Sequence, residues 1–403
     1  MAHRDSDAVG PVRIAVAAPD TADGAQPTDD VIHRSRLWLE SGQPRPPGLA
    51  YRDKPLDGEV AFVFTNAAMA YPGMGRELAE AFPEVAANTQ RLVPEIPFDH
   101  TGFGRHTDPP QPLDQTTAVT LHSSFHVSLL RDLVGVRPDV AVTFCSGEIS
   151  ALVALGLWPD QEELYQRVMS SPLLNHEIAG DFSAIHRAWQ AGSVDGTRWV
   201  SYFVGAPEEE VRAAIAAHPT VHLMSVYSDE ACVIGGEEQA CTGLVATRFA
   251  DRALPTRFDA AAHVPELEPL HPRLQQLFDF PTKDSDLRIY NGARPGHYTP
   301  NRERTARAVA DQMTGQIDLR TATNHAWADG VRIFIEVGPQ SLCTDSIHRT
   351  LHDRPHLAVA LDTRDNAAVS QFHQAVAEIA ATGIDMDTAN PTSGDSTTAM
   401  TST

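Results

Sequence analysis

The stretch VAVTFCSGEISAL, residues 140–152, sets a cysteine at the point where an apolar, β-branched run gives way to a helical pattern. Residues 143–147, TFCSG, approximate G-x-S-x-G, the nucleophile elbow, whose reactive residue stands on a strained turn between strand and helix and needs small neighbours. Gly147 fills the final glycine position and Cys145 the nucleophile position, while Thr143 stands where a glycine is expected. A thiol at that point would face the N-terminus of the helix starting near Glu148, whose unpaired N–H groups and dipole favour thiolate and pull the pKa below ~8.5. Free cysteine is also among the most buried residue types, so the pattern alone admits a nucleophile or an inert core thiol equally. His122 and His126 in HSSFH have a spacing that could share a metal, but no glutamate follows in HExxH fashion, and a pair on a helix surface is expected. VIGGE, residues 233–237, lacks a phosphate-loop lysine and reads as a turn in a hairpin.

The elements that must carry Cys145 alternate between strand and helix. After a flexible leader at 1–10, residues 11–58 form an α/β adaptor: a strand in VRIAVAAPD, a helix in DDVIHRSRLWLESG, and a proline-rich extended linker, QPRPPGLAYRDKPLDG. EVAFVF (59–64), apolar after Glu59, is the short run of a buried parallel strand, and VRPDVAVTF delivers a second that ends at the elbow. Between them, GRELAEAFPEVAANTQRLV and TTAVTLHSSFHVSLLRDLVG have helical spacing, the latter closed by Gly135. This order predicts an α/β sheet with parallel strands over 59–196 and 257–385. Within it, residues 197–256 change rhythm to β-α-β-β-α, as in a ferredoxin-like insert, with Pro207 opening the first of its helices. The tail, 386–403, holds too little apolar content to order.

A net charge of −22 argues against sequence-independent binding to nucleic acid or anionic membrane. No stretch approaches the roughly 18 apolar residues of a membrane span, and the polar start lacks a signal-peptide core, so a cytoplasmic location is expected. Four cysteines without C-x-x-C spacing suggest neither a zinc ribbon nor a disulfide framework, and no metal is expected.

Five segments, in order, resemble malonyl-CoA:acyl-carrier-protein transacylases and the acyltransferase domains of polyketide synthases. FVFTNAAMAYPGMGRELAEAFPEV (62–85) is similar to their FVFPGQGxQxxGMG opening, and VRPDVAVTFCSGEISALVALGLW (136–158) to their GHSxGE elbow and helix. AAAHVPELEPL (260–270), IYNGARPGHYTP (289–300) and FIEVGPQSLCT (334–344) resemble (H/Y)AxHSPxMEP, YSxxTGxxYxP and FIEVGPxxxLT. The wording of SGE and HVPELE is closest to the polyunsaturated fatty acid synthase-like branch, and the chain looks like a stand-alone acyltransferase detached from such a synthase. The resemblance implies an α/β-hydrolase-like large domain with a ferredoxin-like small domain inserted. It places Cys145 at the acylated serine and His263 at the general base, with the Gly338, Pro339 and Gln340 loop orienting that histidine.

Departures from the family pattern shape the rest. Asn66 and Ala67 replace the glycine and glutamine of the first loop, so oxyanion stabilisation would rest on the backbone N–H groups of Ala67 and Ser146. Ser170 occupies the position of the carboxylate-binding arginine; Arg167, one turn earlier on the same face, could substitute in part, but an exposed helix arginine is the expected reading, and a dicarboxylate substrate is not expected. Ala262, in the run AAA, leaves room for a larger acyl group unless Phe144 fills it; Asn291 lies in the fourth segment and joins the substrate-binding set. The implied reaction moves an acyl group from CoA or a carrier protein through a Cys145 thioester to a carrier protein or small acceptor, with acyl-CoA or a phosphopantetheine thioester as substrate and no bound cofactor. Partners would be acyl carrier protein or polyketide synthase components, which the basic cluster Arg294, Arg302, Arg304 and Arg307 could contact if it is more than a solvated helix start. A hydrolase that clears acyl thioesters, and a degenerate non-catalytic scaffold, are the alternative readings.

Overall fold

The computed structural model describes residues 13–16, 27–41, 48–92, 111–189, 198–364 and 366–386. In chain order its strands are β1 (Arg13–Val16), β2 (Leu49–Arg52), β3 (Glu59–Phe64), β4 (Val140–Thr143), β5 (Trp199–Val204), β6 (Val221–Ser228), β7 (Ala231–Glu237), β8 (Ala253–Pro255), β9 (Arg288–Tyr290), β10 (Ile317–Asp318), β11 (Val331–Val337) and β12 (Leu357–Ala360). The sheet that carries the elbow has the order β12-β11-β3-β4-β9, every pair parallel. β3, β4 and β11 are almost wholly buried, as expected of strands covered by helices on both faces. Phe62, Phe64, Val142, Phe334 and Ile335 are fully buried in one core.

The helix expected over 75–93 is two, Arg76–Ala81 and Pro83–Leu92, because Pro83 cannot continue the first. The following helix runs Pro112–Ser128 and ends through one wide turn at Gly135, whose φ of 74° suits glycine. His122 and His126 lie on its covered face, not on a helix surface as expected. Their exposures are 2% and 0%, their rings are 4.2 Å apart, and His122 faces the Asp362 carboxylate at 3.4 Å.

The second sheet has the order β10-β6-β7-β5-β8. Strands β5 to β8, with helices Glu208–Ile215 and Glu238–Arg248, make the β-α-β-β-α-β unit of a ferredoxin-like fold around Val204, Val211, Ile234, Leu244 and Phe249. Pro207 caps the first of these helices from outside. β10, from well beyond residue 256, adds to this sheet parallel to β6. VIGGE is not a turn: it lies in β7, and the hairpin bends at Asp229 and Glu230. Its glycines serve close packing, since a Cβ on Gly236 would lie 2.0 Å from Thr220 O and 2.8 Å from Val221 Cα.

The proline-rich segment is not simply extended. Within it β2 pairs antiparallel with β1, and Ala50 packs on Ala377 and Ala381 of the helix Ala368–Ala381, so residues 48–58 fold back on the end of the large unit. The expected leader (1–10) lies outside the described residues, as does the tail apart from Met386.

Gly236→Ala forces its Cβ against the Thr220–Val221 backbone near the end of β7, and thermal or urea denaturation is predicted to show a loss of about 2–3 kcal/mol. A variant as stable as the parent would contradict this packing.

Candidate active site

β4 ends at Thr143, Phe144 turns inward, and Cys145 takes a φ of 55° before the helix Gly147–Ala154 begins. A non-glycine residue in the left-handed region marks local strain, here at the point that lifts Sγ out of the sheet. Gly147 makes the bend possible: a Cβ there would sit 2.1 Å from Phe64 O and 2.8 Å from Thr65 O. Thr143 does not loosen the turn, because its hydroxyl donates to the buried carboxylate of Glu148. That carboxylate also accepts from Tyr298 Oη and, at 2.8 Å, from Gln312 Nε2.

His263, 6% exposed and likewise at positive φ (60°), approaches from the other side, with Nε2 3.1 Å from Cys145 Sγ. Its Nδ1 contacts the carbonyl of Gln312. A carbonyl only accepts, so Nδ1 carries the proton and the Nε2 lone pair faces the thiol. The orienting group is therefore Gln312 and not the Gly338–Pro339–Gln340 loop. Gln312 lies in the last turn of the helix Arg302–Thr314, where carbonyls lack an intrahelical partner. The loop is committed elsewhere: Gly338 N–H donates to His126 Nδ1 at 3.1 Å and Gln340 Nε2 to Met69 O at 2.6 Å, bracing the 66–69 turn.

Burial governs the electrostatics. It pushes the Cys145 thiol up to about 11, against hydrogen bonds from the backbone and side chain of Ser146, and draws His263 down to about 4, against backbone hydrogen bonds at Gln312 and Gly315. The expected pull of the helix N-terminus toward thiolate is present at Ser146 but loses to desolvation. Cys145 and His263 thus form a neutral thiol–imidazole pair, poised to pass a proton when the sulfur attacks an electrophile.

Of the two N–H groups expected to line an oxyanion site, that of Ala67 points at the elbow and donates to Ser146 Oγ at 2.8 Å. A substrate oxygen would have to displace that hydroxyl. Asn66 stiffens the same turn, accepting from Ala68 N–H and donating to Tyr227 Oη of the insert, each at 2.9 Å.

Beside Cys145 and His263 opens a cleft lined mainly by apolar side chains and by Ala260, Ala261 and Ala262. Four other expected contacts lie outside it. Phe144 is buried against Tyr227, ring centres 4.5 Å apart, and leaves the cleft unfilled. Arg167 stacks on Phe280 at 3.9 Å, pairs with Glu163 and donates to the carbonyls of Leu277 and Asp279, partners that the apolar cleft does not offer. Ser170 is exposed, its hydroxyl bonded to Gln166 O at 2.6 Å. Asn291 accepts from Ala293 N–H and lines a separate polar cavity with Arg294, Arg304 and Arg307. In the basic cluster Arg294 is paired with Asp311 and Arg302 with Asp279. His263 also borders a second, polar cleft between the sheets, flanked by Arg212, His222, His271 and Arg294.

Known proteins share this architecture. The chain is 22% identical over 363 residues to a component of the polyunsaturated fatty acid synthase of Thraustochytrium sp., covering 80% of this chain and 17% of that protein. It is 26% identical over 356 residues to a polyketide synthase of Streptomyces halstedii, covering 82% of this chain and 4% of that one. It thus spans only a small part of the curated relatives it matches. Among solved structures, the acyltransferase domain from module 8 of the salinomycin polyketide synthase superposes with a TM-score of 0.75 at 18% identity, over 96% of this chain and 88% of that one. The fold is that of an acyltransferase domain. A malonyl-CoA:ACP transacylase of Synechocystis sp. shares the acyltransferase fold at a TM-score of 0.59 and 20% identity, over 77% of this chain and 99% of that one. No protein-family model matches. Among the described residues no cluster of side chains fits a metal ion, and no helix is long and apolar enough to cross a membrane.

Sequence reasoning missed Gln312, because a carbonyl freed by a helix ending has no residue signature. Glu148 and Tyr298 stood in the quoted segments, but nothing in their spacing said that they bond.

Iodoacetamide reacts with thiolate, so with a thiol at about 11 its alkylation of Cys145, followed by intact mass, is predicted to keep rising between about pH 6 and about pH 9. A rate already level near neutrality would mean a preformed thiolate–imidazolium pair instead.

Proposed function

We propose that the chain is an acyltransferase of the polyketide and fatty acid synthase type, working through a thioester on Cys145. The observation that carries this reading is the 3.1 Å approach of His263 Nε2 to a sulfur held on a strained elbow, within a fold shared with acyltransferase domains. As Sγ attacks the carbonyl carbon of an acyl thioester, its proton moves to Nε2 and the imidazolium is steadied by the Gln312 carbonyl. The tetrahedral oxygen takes the Ala67 N–H as the Ser146 hydroxyl turns aside, joined by the N–H of Ser146. Collapse expels the donor thiolate, which takes the proton from His263 and leaves as the thiol. In the second half the imidazole deprotonates an acceptor thiol, which attacks the thioester carbonyl and carries off the acyl group, and the expelled Cys145 thiolate takes the proton back from His263.

Exchanging one thioester for another leaves the intermediate near the energy of the donor, and a sulfur nucleophile leans less on base and oxyanion donors than a serine would. This accommodates the loss of the family's loop glutamine. The acceptor proposed is the phosphopantetheine thiol of an acyl carrier protein, entering by the polar cleft that also borders His263. Acyl-CoA is the proposed donor.

Incubation with acyl-CoA is predicted to add one acyl mass to the protein, on Cys145, and Cys145→Ala is predicted to abolish it. The label is then predicted to pass to added holo acyl carrier protein. Release as free acid alone would favour a hydrolase, and no label from any acyl-CoA would favour a non-catalytic scaffold.

A further inference from the structure

The cleft beside Cys145 has walls of Leu113, Ile149, Val168, Ile178, Phe258 and Met313 and a floor made small by Ala260, Ala261 and Ala262. Among the described residues no lysine or arginine lines it. The polar side chains at its edge are turned to other partners: Asn175 Nδ2 donates to Met169 O, Thr116 Oγ1 to Pro112 O, and Gln312 Nε2 to Glu148. The Glu148 carboxyl is taken up by Thr143, Tyr298 and Gln312, and the polar groups left at the rim are the neutral side chains of Gln111 and Ser146. A second carboxylate on the acyl group would enter a mainly apolar, low-dielectric space with no cation to neutralise it. Arg167, the nearest candidate in sequence, is held outside by Phe280 and Glu163.

We infer that this cleft selects an uncharged aliphatic acyl chain over malonyl-type, carboxylate-bearing groups. The inference rests on Cys145 being the acylated residue. The cleft opens at the sulfur, so a chain attached there as a thioester continues into it, and every methylene that enters leaves water for a wall of aliphatic carbon. The smallness of residues 260–262 acquires a purpose here. Larger side chains at those positions would close the space immediately beside His263 and restrict the site to short groups. The chain's own chemistry then requires an upstream step that activates free fatty acid, or an already elongated acyl group, as a thioester.

The test is the rate of thioester formation on Cys145 in the full chain, followed by intact mass, with acetyl-, butyryl-, hexanoyl-, octanoyl- and malonyl-CoA. Along the straight-chain series kcat/KM is expected to rise about fourfold per methylene until the cleft is filled, and malonyl-CoA is expected at least about a hundredfold below octanoyl-CoA. Val168→Arg, which sets a cation in the wall, is expected to raise the malonyl rate and lower the octanoyl rate. If Cys145 is labelled faster by malonyl- or acetyl-CoA than by octanoyl-CoA in the unmodified chain, the inference is wrong while the acyltransferase reading stands. If no donor labels Cys145, the acyltransferase reading fails and takes this inference with it. The unmodified chain decides the matter even if Val168→Arg does not fold.

Discussion

A single backbone carbonyl organises this site. The helix Arg302–Thr314 stops one turn short of consuming Gln312 O, and that leftover acceptor fixes the proton of His263 on Nδ1 and so aims the Nε2 lone pair at Cys145. The helix end is itself held in register by the Gln312 side chain, which bonds the Glu148 carboxyl behind the elbow. Glu148 in turn ties Thr143 at the end of β4 and Tyr298 from the segment after β9. One residue therefore couples the imidazole to the strand, the elbow helix and the following loop. A shift in any of them would be felt as a change in the sulfur–nitrogen distance.

Placing this network in the interior has an electrostatic consequence. Both Cys145 and His263 are pushed toward their neutral forms, so the resting site stores no ion pair and the charge separation of the proposed attack arises only when an electrophile arrives. The helix N-terminus at Ser146 is then of use to a developing oxyanion rather than to a resting thiolate. Desolvation also makes the neighbouring cleft hostile to a charged acyl group, so the same dryness that sets the protonation states bears on substrate choice.

Much of this was legible in the chain itself. The mainly apolar runs 59–64 and 140–143 announced buried parallel strands because strands covered by helices on both faces carry few polar side chains, and the small residues after Cys145 announced the bend that Gly147 permits. The pairing of Cys145 with His263 came from family likeness, since 118 residues separate them and no periodicity connects them. What stayed hidden depends on tertiary accidents. Arg167 could be placed on a helix face but not seen to lie over Phe280, and the glycines of VIGGE looked like a turn because the closeness of Thr220 and Val221 is a property of the paired strand. His122 and His126 looked solvated because their partners, Asp362 and the Gly338 N–H, come from far along the chain.

The central claim is that His263 takes the Cys145 proton. Rapid-quench measurement of the first acylation turnover in His263→Ala, with and without added imidazole, tests it most directly. The account predicts a rate lowered about 10²- to 10⁴-fold that recovers in proportion to the imidazole supplied. Acylation of Cys145 at the parent rate without any imidazole would contradict it.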